Sequence, residues 1–532
     1  MSFTSSINLS SLNGTNGFRL EGVKGDDWTG YSVASAGDVN ADGYADIIIG
    51  AANFQGAAAN RLSIGASYVV FGKASGFSST INLSGLNGVT GFRLEGDEEF
   101  GFAGVTVASA GDVNGDGFAD LMVRAPGDAA SGYVVFGKAN GFASAINLSA
   151  LNGDTGFRMW GLDIIYEFNG HSAASAGDVN GDGFADILFS ARNASPNGNN
   201  GAGAAYLVFG KASGFASPIY PTNLNGTNGF QINGVAAQDQ AGMAVASAGD
   251  VNGDGFADII IGANGADPNS KSDAGSSYVI FGKASGFTAA INLSSLNGSN
   301  GFRLDGVAAD DRLGWSAASA GDVNGDGYAD MIVSAYQADP NSKSNAGSSY
   351  VVFGNATGFA SSLNLSSLNG SNGFRLDGVA ASDQSGRSVA SAGDMNGDGY
   401  DDLIIGAYQA DPNSKSNAGS SYVFFGKASG FASALRLSSL NGTSGFRLDG
   451  VSASDESGTS VASAGDANGD GFADLIIGAP YADPNGSNSG AAYVYFSPAS
   501  GAATYRGTTL ADTIHGTVTA DSIIGNGGND TI

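Results

Sequence analysis

The sequence predicts an all-β protein in which seven similar units of four antiparallel strands form a closed ring. A nine-residue pattern, Asp-x-Asn-x-Asp-Gly-Tyr/Phe-x-Asp, occurs seven times. The copies begin at Asp38, Asp112, Asp178, Asp250, Asp322, Asp394 and Asp466. Successive copies begin 74, 66, 72, 72, 72 and 72 residues apart, a length that suits one four-stranded sheet with its loops. Each copy leads into a short apolar run without a helical period.

Each unit contains four segments with the character of strands. In the fifth unit they are residues 301–306, 316–321, 329–333 and 349–354, and each is bounded by Gly, Asn, Asp or Ser. The Ile/Val/Leu runs that follow the nonapeptides lack polar alternation, as expected for strands buried on both faces between neighbouring sheets. Seven such units predict a seven-bladed β-propeller of four-stranded antiparallel blades. An open superhelix of stacked hairpins is the alternative.

The order of the segments indicates how the ring closes. A Phe-Arg-Leu strand precedes the first nonapeptide, at residues 18–20, and a Tyr-Val-Tyr-Phe strand ends the last unit, at residues 493–496. The last unit therefore lacks an outer strand, while the chain begins with a surplus one. We predict that residues 14–22 complete the blade formed by residues 458–497, so that the N-terminal strand closes the ring.

The nonapeptide has the composition of a loop that binds a hard cation. Ca²⁺ takes six to eight oxygen ligands from carboxylates, amides, carbonyls and water. Positions 1, 3, 5 and 9 supply side-chain oxygens, the glycine at position 6 permits a sharp turn, and position 7 can supply its carbonyl. About seven Ca²⁺ ions, one per blade, are expected. The predicted ligands are Asp38, Asn40, Asp42, Tyr44, Asp46, Asp112, Asn114, Asp116, Phe118, Asp120, Asp178, Asn180, Asp182, Phe184, Asp186, Asp250, Asn252, Asp254, Phe256, Asp258, Asp322, Asn324, Asp326, Tyr328, Asp330, Asp394, Asn396, Asp398, Tyr400, Asp402, Asp466, Asn468, Asp470, Phe472 and Asp474.

Other interpretations of the loop are less suitable. An EF-hand begins in the same way, but its Glu at position 12 is missing here and a strand follows instead of a helix. An acidic hairpin turn is the alternative, since Asn, Asp and Gly also favour turns. Three carboxylates in one short loop would, however, repel each other by several kcal/mol at an effective dielectric constant of about 20. Mg²⁺ demands stricter octahedral geometry, and the absence of Cys together with only two His disfavours zinc.

The repeats resemble the FG-GAP repeats of the integrin α-subunit propeller and their bacterial relatives. The markers are Val-Ala-Ser-Ala-Gly-Asp at residues 33–38 and Ile-Ile-Gly-Ala-Pro at residues 476–480, and the match covers roughly residues 10–500. The resemblance implies a seven-bladed propeller with calcium in the hairpin loop between the first and second strands of a blade, on the lower face. Integrins carry such loops in only some blades, whereas all seven units have one here. This difference favours a stabilising role for the metal.

The composition changes after residue 497. Asp-x-Ile triplets at residues 512–514, 521–523 and 530–532 are nine residues apart, and Gly-Asn-Gly-Gly-Asn-Asp-Thr-Ile at residues 525–532 resembles an RTX calcium-binding nonapeptide. The two earlier copies lack the paired glycines, so a Gly/Asp-rich linker is the alternative. We therefore predict a propeller over residues 1–497, followed over residues 498–532 by a linker and incomplete RTX-like repeats that belong to a longer protein. The resemblance implies an extracellular or cell-surface protein that is exported by a type I secretion route.

Charge and composition exclude several classes of function. The formal net charge is −28, from 22 basic and 50 acidic residues, which argues against nucleic-acid binding. There is no run of about 20 apolar residues that predicts a membrane span. Without Cys the fold has no disulfides, so metal is the expected cross-link. A closed ring completes its own core, which favours a monomer.

The upper face, opposite the calcium loops, is the predicted ligand-binding surface, because integrin-like propellers meet ligands there. Aromatic and Arg side chains dominate binding hot spots. The candidates are Trp28, Arg124, Tyr166, Arg192 and Trp315. The alternative is that the aromatic side chains plug the central channel.

The predicted function is that of a secreted adhesion or ligand-binding module for an unidentified protein or glycan. A structural surface or matrix protein, and a non-catalytic part of a secreted hydrolase, are the alternatives. An enzyme is not predicted, since His171 is the only histidine of the predicted propeller and no Gly-x-Ser-x-Gly nucleophile motif accompanies it.

Overall fold

The computed structural model describes residues 3–56, 62–127, 131–162 and 172–498, together with the backbone of residues 504–506 and 522–524. These residues form seven sheets around one axis, with the innermost strands of neighbouring sheets in contact. The described residues contain no α-helix, and none of their helical segments is long and apolar enough to cross a bilayer. The seven-bladed, all-β propeller predicted from the repeats is confirmed.

The elements are short and follow the repeats closely. The strands of the ring are β1 (Ser6–Asn8), β2 (Gly17–Glu21), β3 (Thr29–Gly37), β4 (Asp46–Ala51), β5 (Ala66–Val70), β6 (Thr80–Asn82), β7 (Gly91–Glu95), β8 (Thr106–Gly111), β9 (Asp120–Ala125), β10 (Ser131–Val135), β11 (Ala145–Asn147), β12 (Gly156–Met159), β13 (Ala173–Gly177), β14 (Asp186–Ala191), β15 (Ala204–Val208), β16 (Gly229–Asn233), β17 (Ala241–Gly249), β18 (Asp258–Ala263), β19 (Ser276–Ile280), β20 (Ala290–Asn292), β21 (Gly301–Asp305), β22 (Ala317–Gly321), β23 (Asp330–Ala335), β24 (Ser348–Val352), β25 (Ser362–Asn364), β26 (Gly373–Asp377), β27 (Ser388–Gly393), β28 (Asp402–Ala407), β29 (Ser420–Phe424), β30 (Ala434–Arg436), β31 (Gly445–Asp449), β32 (Ser460–Gly465), β33 (Asp474–Ala479) and β34 (Ala491–Tyr495). Single 3₁₀ turns occupy Leu9–Ser11, Leu83–Gly85, Leu148–Ala150, Pro196–Gly198, Pro221–Asn223, Pro268–Ser270, Leu293–Ser295, Pro340–Ser342, Leu365–Ser367, Pro412–Ser414 and Leu437–Ser439.

Every blade has the same antiparallel order from the axis outward. The blades, numbered along the chain, are β3-β4-β5-β7, β8-β9-β10-β12, β13-β14-β15-β16, β17-β18-β19-β21, β22-β23-β24-β26, β27-β28-β29-β31 and β32-β33-β34-β2. The second strand of each blade is buried along its whole length, in agreement with the unbroken apolar runs of the sequence.

The N-terminal strand completes the last blade, as predicted. Strand β2 pairs antiparallel with β34, so that Phe18 lies opposite Val494 and Leu20 opposite Ala492. Phe18 and Leu20 are fully buried. The two ends of the propeller are therefore held together by backbone hydrogen bonds and by apolar contact.

Six of the described blades carry a fifth strand that the sequence analysis did not predict. It comes from the connection between the third and fourth strands of the following blade and pairs in parallel with the outer strand. The pairs are β6 on β2, β11 on β7, β20 on β16, β25 on β21, β30 on β26 and β1 on β31. In blade two a single parallel bridge between Met159 and Ile219 takes its place. Each of these strands is only three residues long, which is too short for the alternation of apolar and polar residues that marks a strand in a sequence.

Stacked phenylalanines hold each of these crossing connections to the preceding blade. Phe287 from blade four stacks on Phe230 of blade three, with ring centroids 4.9 Å apart and planes 10° from parallel. Equivalent pairs occur at every interface: Phe77 on Phe18, Phe142 on Phe92, Phe215 on Phe157, Phe359 on Phe302, Phe431 on Phe374 and Phe3 on Phe446. Such pairs contribute about 0.5–1.5 kcal/mol each beyond the burial of their area.

The hydrophobic core lies between blades and not within them. One cluster joins Phe18 and Ile476 of blade seven to Ile49 and Tyr68 of blade one, and each of the other clusters likewise spans two neighbouring blades. A blade therefore buries its faces only when both neighbours are present.

Beyond the ring, two short strands are described. Thr504–Arg506 pairs in parallel with Ser522–Ile524, and the register joins Thr504 to Ser522. This offset of 18 residues equals two nine-residue repeats. The triplets at residues 512–514 and 530–532 lie outside the described residues.

Candidate functional site

The seven nonapeptide loops join the first and second strands of each blade and lie on one face of the ring. In the second loop the Asp112 carboxylate accepts hydrogen bonds from the N–H groups of Gly115 at 2.6 Å, Asp116 at 3.0 Å and Gly117 at 2.8 Å. The Asp120 carboxylate accepts one from Val113 at 2.9 Å. The carboxylate at position 1 thus accepts the backbone N–H groups of positions 4, 5 and 6. The carboxylate at position 9, at the start of the second strand, accepts the N–H group of position 2.

The carboxylates at position 9 are buried without a cationic side chain among their described hydrogen-bond partners. Besides the N–H group of position 2, each accepts the N–H group that follows the third strand, as Asp46 does from Gly72 at 2.9 Å. Burial is the main cause that raises the pKa of Asp46 to about 8, with repulsion from Asp42 and Asp38 adding to it and the two backbone N–H groups opposing it. The same causes raise the pKa of Asp186 to about 8 and that of Asp120 to about 7. The pKa values of Asp258, Asp330, Asp402 and Asp474 are raised well above the ordinary range.

The chemistry of this donor set fits a hard cation. Each loop offers only oxygen, from three carboxylates, one amide and the carbonyl of position 7, the ligands that Ca²⁺ prefers. Among the described residues no group of three or more Asp, Glu, His or Cys side chains is close enough together to hold a metal. In the second loop the Asn114 amide donates to the Asp116 carboxylate at 2.9 Å. A carboxylate oxygen has two lone pairs, so the accepted N–H bonds leave capacity for a cation. Bound Ca²⁺ would supply the positive charge that lets position 9 remain ionised at neutral pH.

Neighbouring loops contact each other around the ring. The N–H group of Ala45 donates to the carbonyl of Asp466 at 3.0 Å, and that of Ala119 donates to Asp38 at 3.0 Å. In six loops position 4 is a glycine that the aromatic ring at position 7 of the next loop covers, so a Cβ on Gly469 would lie 2.3 Å from the Tyr44 ring. Each loop is therefore supported by the fold of the next.

The buried carboxylates make a pH dependence of stability expected when calcium is chelated. A raised pKa means that the folded protein holds a proton which the unfolded chain has already lost, over the window from the ordinary value of 3.8 to about 8. Stability should therefore fall as pH rises through this window. We expect the melting temperature in chelator to drop by at least about 5 °C between pH 5 and pH 8. Millimolar calcium should remove most of the drop, and a melting temperature that rises with pH in chelator would contradict this account.

On the opposite, upper face, aromatic side chains gather around the end of the axis. This cluster, called the axial mouth below, consists of Trp28, Tyr31, Trp315, Tyr336, Arg387, Tyr408, Glu456 and Tyr481, from blades one, five, six and seven and the loops that join them. All except the buried Tyr336 are partly exposed.

Arg387 is the electrostatic centre of the axial mouth. Its guanidinium carbon lies 4.6 Å from the ring centroid of Trp315 and 5.6 Å from that of Tyr408. Burial raises the pKa of Tyr31 to about 12, and the positive charge of Arg387 opposes that rise. Burial likewise raises the pKa of Glu456, again opposed by Arg387.

The other aromatic side chains of the axial mouth contact each other directly. Trp315 and Tyr336 have ring centroids 4.4 Å apart. Trp28 lies 6.3 Å from Tyr481 and 6.4 Å from Tyr31. The cluster thus contains two groups of aromatic side chains, one formed by Trp28, Tyr31 and Tyr481 and the other by Trp315 and Tyr336, with Arg387 against Trp315 and Tyr408.

The structure places the predicted ligand-binding residues in three different settings. Trp28 and Trp315 belong to the axial mouth, whereas Tyr166 lies outside the described residues. His171, which was not a predicted ligand-binding residue, also lies outside them. Arg124 is fully buried in β9, where its Nη2 donates to the Ser190 carbonyl at 3.3 Å between blades two and three. Arg192 is 8% exposed. Arg124 lies outside the axial mouth, whereas Arg192 directly follows β14, the position that Tyr336 and Tyr408 occupy after β23 and β28.

Sequence reasoning missed Tyr31, Tyr336, Arg387, Tyr408, Glu456 and Tyr481. Comparison of equivalent positions in the repeats would have found Tyr31 and Arg387. The residue after the glycine near the start of the first strand is Tyr31, Trp315 and Arg387 in blades one, five and six, but Val105 and Met243 in blades two and four.

The ring of seven blades, each with an acidic hairpin loop on one face, defines a repeat-type β-propeller. A model of the FG-GAP repeat matches residues 29–70, 103–136, 169–208, 241–280, 314–352, 385–424 and 457–495. The chain therefore belongs to the FG-GAP repeat family, which confirms the resemblance seen in the sequence.

The similar proteins include a phospholipase D and two integrins. The chain is 33% identical over 192 residues to phosphatidylinositol-glycan-specific phospholipase D of Bos taurus, covering 36% of this chain and 21% of the relative. It is 32% identical over 188 residues to integrin alpha-5 of Xenopus laevis, covering 34% and 16%. It is 30% identical over 192 residues to integrin alpha-V of Gallus gallus, covering 34% and 17%. The matches span only about a fifth of the length of these relatives.

Proposed function

We propose that this protein is an extracellular or cell-surface module that binds a protein or glycan ligand at the axial mouth, with Ca²⁺ in its seven loops stabilising the blades. The observation that carries the proposal is the partly exposed cluster of aromatic side chains around Arg387. Aromatic and Arg side chains are enriched at binding hot spots, because they present a large contact area with few rotatable bonds.

The asymmetry of the axial mouth supports binding over a purely structural role. A structural ring of near-identical repeats would need no difference between blades at this position. Here blades one, five and six place Tyr31, Trp315 and Arg387 there, while Val105 and Met243 of blades two and four are buried. A surface or matrix protein without a discrete ligand is the second candidate, favoured by the uniform stacking on the lower face.

We also propose that the chain is not itself catalytic and that it is exported by a type I route. The acidic side chains of the loops accept hydrogen bonds from backbone N–H groups, which gives them a structural role.

The parallel pairing of residues 504–506 with residues 522–524 at an offset of 18 supports an RTX-like tail, in which two nonapeptides make one turn of a parallel roll.

The binding function predicts a specific loss on mutation of the axial mouth. We expect Trp315→Ala combined with Arg387→Ala to weaken retention on a panel of immobilised extracellular glycoproteins and polysaccharides by at least about tenfold, since hot-spot side chains contribute 2 kcal/mol or more. The matched control is Arg158→Ala with Trp160→Ala, another Arg–Trp pair, in which the guanidinium lies 3.6 Å from the ring on the rim of blade two. Equal retention of the axial-mouth variant, the control and the wild type would favour the structural candidate.

A further inference from the structure

Three pockets occur at equivalent places on the face that carries the acidic loops. They lie in blades four, three and six, with volumes of about 520, 320 and 240 Å³. In each, one wall is the Asp at position 5 of the loop, namely Asp254, Asp182 or Asp398, and the other is the connection between the third and fourth strands. We call them the rim pockets. Their equivalent positions in the repeat make them copies of one site.

A lysine is held in the same orientation in each rim pocket. The Lys283 Nζ donates to the carbonyl of Gly286 at 3.1 Å and lies 4.9 Å from the ring centroid of Phe287. Lys211 and Lys427 repeat this arrangement at 2.9 and 5.0 Å, and at 3.0 and 5.0 Å. An ammonium group has three N–H donors, so one bond to a carbonyl leaves it able to donate to a ligand. The cation is thus positioned before any ligand arrives. Lys73 and Lys138 of blades one and two are held in the same way, so the pockets, and not the lysines alone, distinguish blades three, four and six.

The opposite wall of each pocket is a turn with hydroxyl and amide groups. The Ser299 hydroxyl donates to Asn297 Oδ1 at 2.7 Å, and Thr227 and Thr443 donate in the same way to Asn225 and Asn441, each at 2.7 Å. Because each hydroxyl donates inside the turn, its oxygen is presented as an acceptor. The wall is therefore preformed, which reduces the entropy lost on binding.

This combination of groups selects the chemistry of a ligand. An ammonium and one or more hydroxyls line each pocket beside a loop carboxylate, with Asn side chains added in blades three and four and Arg436 in blade six. Such a lining suits a molecule with many hydroxyl groups that both donate and accept. A polyanion is disfavoured by the net charge of −28. A flat apolar ligand is disfavoured because Phe287 is covered by Lys283 on one side and Phe230 on the other.

We propose that the rim pockets of blades three, four and six each bind one sugar unit of a neutral polysaccharide. A single pocket of this polarity would bind weakly. Three pockets on one rigid rim raise the effective concentration of a repeating ligand, and the avidity of linked sites can exceed the affinity of one site by 10²–10⁴. This function is separate from ligand binding at the axial mouth and deepens the proposed extracellular role by naming a ligand class for the other face.

The test replaces each lysine by methionine, which removes the ammonium group but keeps an unbranched apolar side chain to pack in its place. In millimolar calcium, wild type is expected to be retained on at least one of immobilised β-glucan, mannan and chitin oligosaccharides. Lys211→Met, Lys283→Met and Lys427→Met together should weaken that retention at least tenfold, and Lys283→Met alone should weaken it less. The matched control is the triple variant of Lys271, Lys343 and Lys415 to Met, which removes three ammonium groups that donate to the carbonyls of Val307, Val379 and Val451 on the upper face. It should bind as wild type does.

Several outcomes would overturn the proposal. They are no retention on any neutral polysaccharide, retention on alginate alone, or equal retention of the rim and control variants with melting temperatures unchanged. The Trp315→Ala/Arg387→Ala variant separates the two functions, because polysaccharide binding at the rim should survive it. If that variant abolishes retention and the rim variant does not, the polysaccharide binds at the axial mouth, and only the rim proposal fails.

Discussion

Chelation of calcium is expected to lower the melting temperature of this protein by more than about 10 °C, the largest effect that we predict. A ligand that binds only the native state stabilises it by about 2.7 kcal/mol per site at one hundred times the dissociation constant, and seven loops would add their contributions. The physical reason is the buried carboxylate at position 9, which repels two neighbouring carboxylates and has no described cationic partner. Calorimetry with and without chelator measures the shift.

A single loop can be tested against a matched substitution elsewhere. Asp254→Asn removes one charge from the fourth loop but keeps an oxygen to accept the N–H group of Phe256, which lies 3.1 Å from Oδ1. Native mass spectrometry should count about seven ions on wild type and one fewer on this variant. Asp154→Asn, an exposed Asp outside the loops, should bind the full number. A melting transition that is the same in chelator and in calcium would mean that the loops are turns and not metal sites.

Deletion of residues 1–22 is expected to open the ring and to destabilise blade seven more than any other. The deletion removes β2 from β34 and exposes the core face that contains Ile476 and Val494. It also removes β1 from the edge of blade six. Loss of the buried Phe18 alone is the kind of change that costs about 3–5 kcal/mol. Hydrogen exchange should therefore accelerate strongly in Ala491–Tyr495.

The equivalent strand of a distant blade provides the control for this deletion. Ser276–Ile280 of blade four keeps its outer strand β21 and should exchange more slowly than Ala491–Tyr495 in the truncated protein. A shorter deletion of residues 1–10 removes β1 but leaves β2, so it should affect the outer strand of blade six more than Ala491–Tyr495, which keeps its backbone pairing with β2. A peptide of residues 1–22 added in trans should restore protection. Unchanged exchange in Ala491–Tyr495 after the longer deletion would contradict closure by β2.

Local patterns were enough to predict the elements whose signal repeats within the chain. The nonapeptide and the apolar run that follows it predict each loop and each fully buried second strand, because both depend on residues adjacent in sequence. Ring closure was also predictable, since the Phe-Arg-Leu strand at residues 18–20 has no partner in its own unit. The fifth strands were not predicted, because Ala290–Asn292 and its equivalents are three residues long and pair with the preceding blade.

The candidate sites divide in the same way. The oxygen ligands of each loop are contiguous, so spacing alone identifies them. The axial mouth instead joins Tyr31 to Arg387 and Tyr481, which are hundreds of residues apart and meet only because the ring closes. Arg124 shows the opposite error: its side chain in β9 is enclosed between two blades, although its residue type suggested an exposed binding group.

Patterns repeated along the chain are thus enough to establish the fold class, the family, the number of blades and the composition of the seven acidic loops. The three-dimensional arrangement is needed to identify the side chains that surround the axis, those enclosed between blades, and the positions of the rim pockets. This is because a blade is incomplete alone. Its core, its fifth strand and its share of the axial mouth are formed by contacts with neighbouring blades, and no local pattern records those contacts.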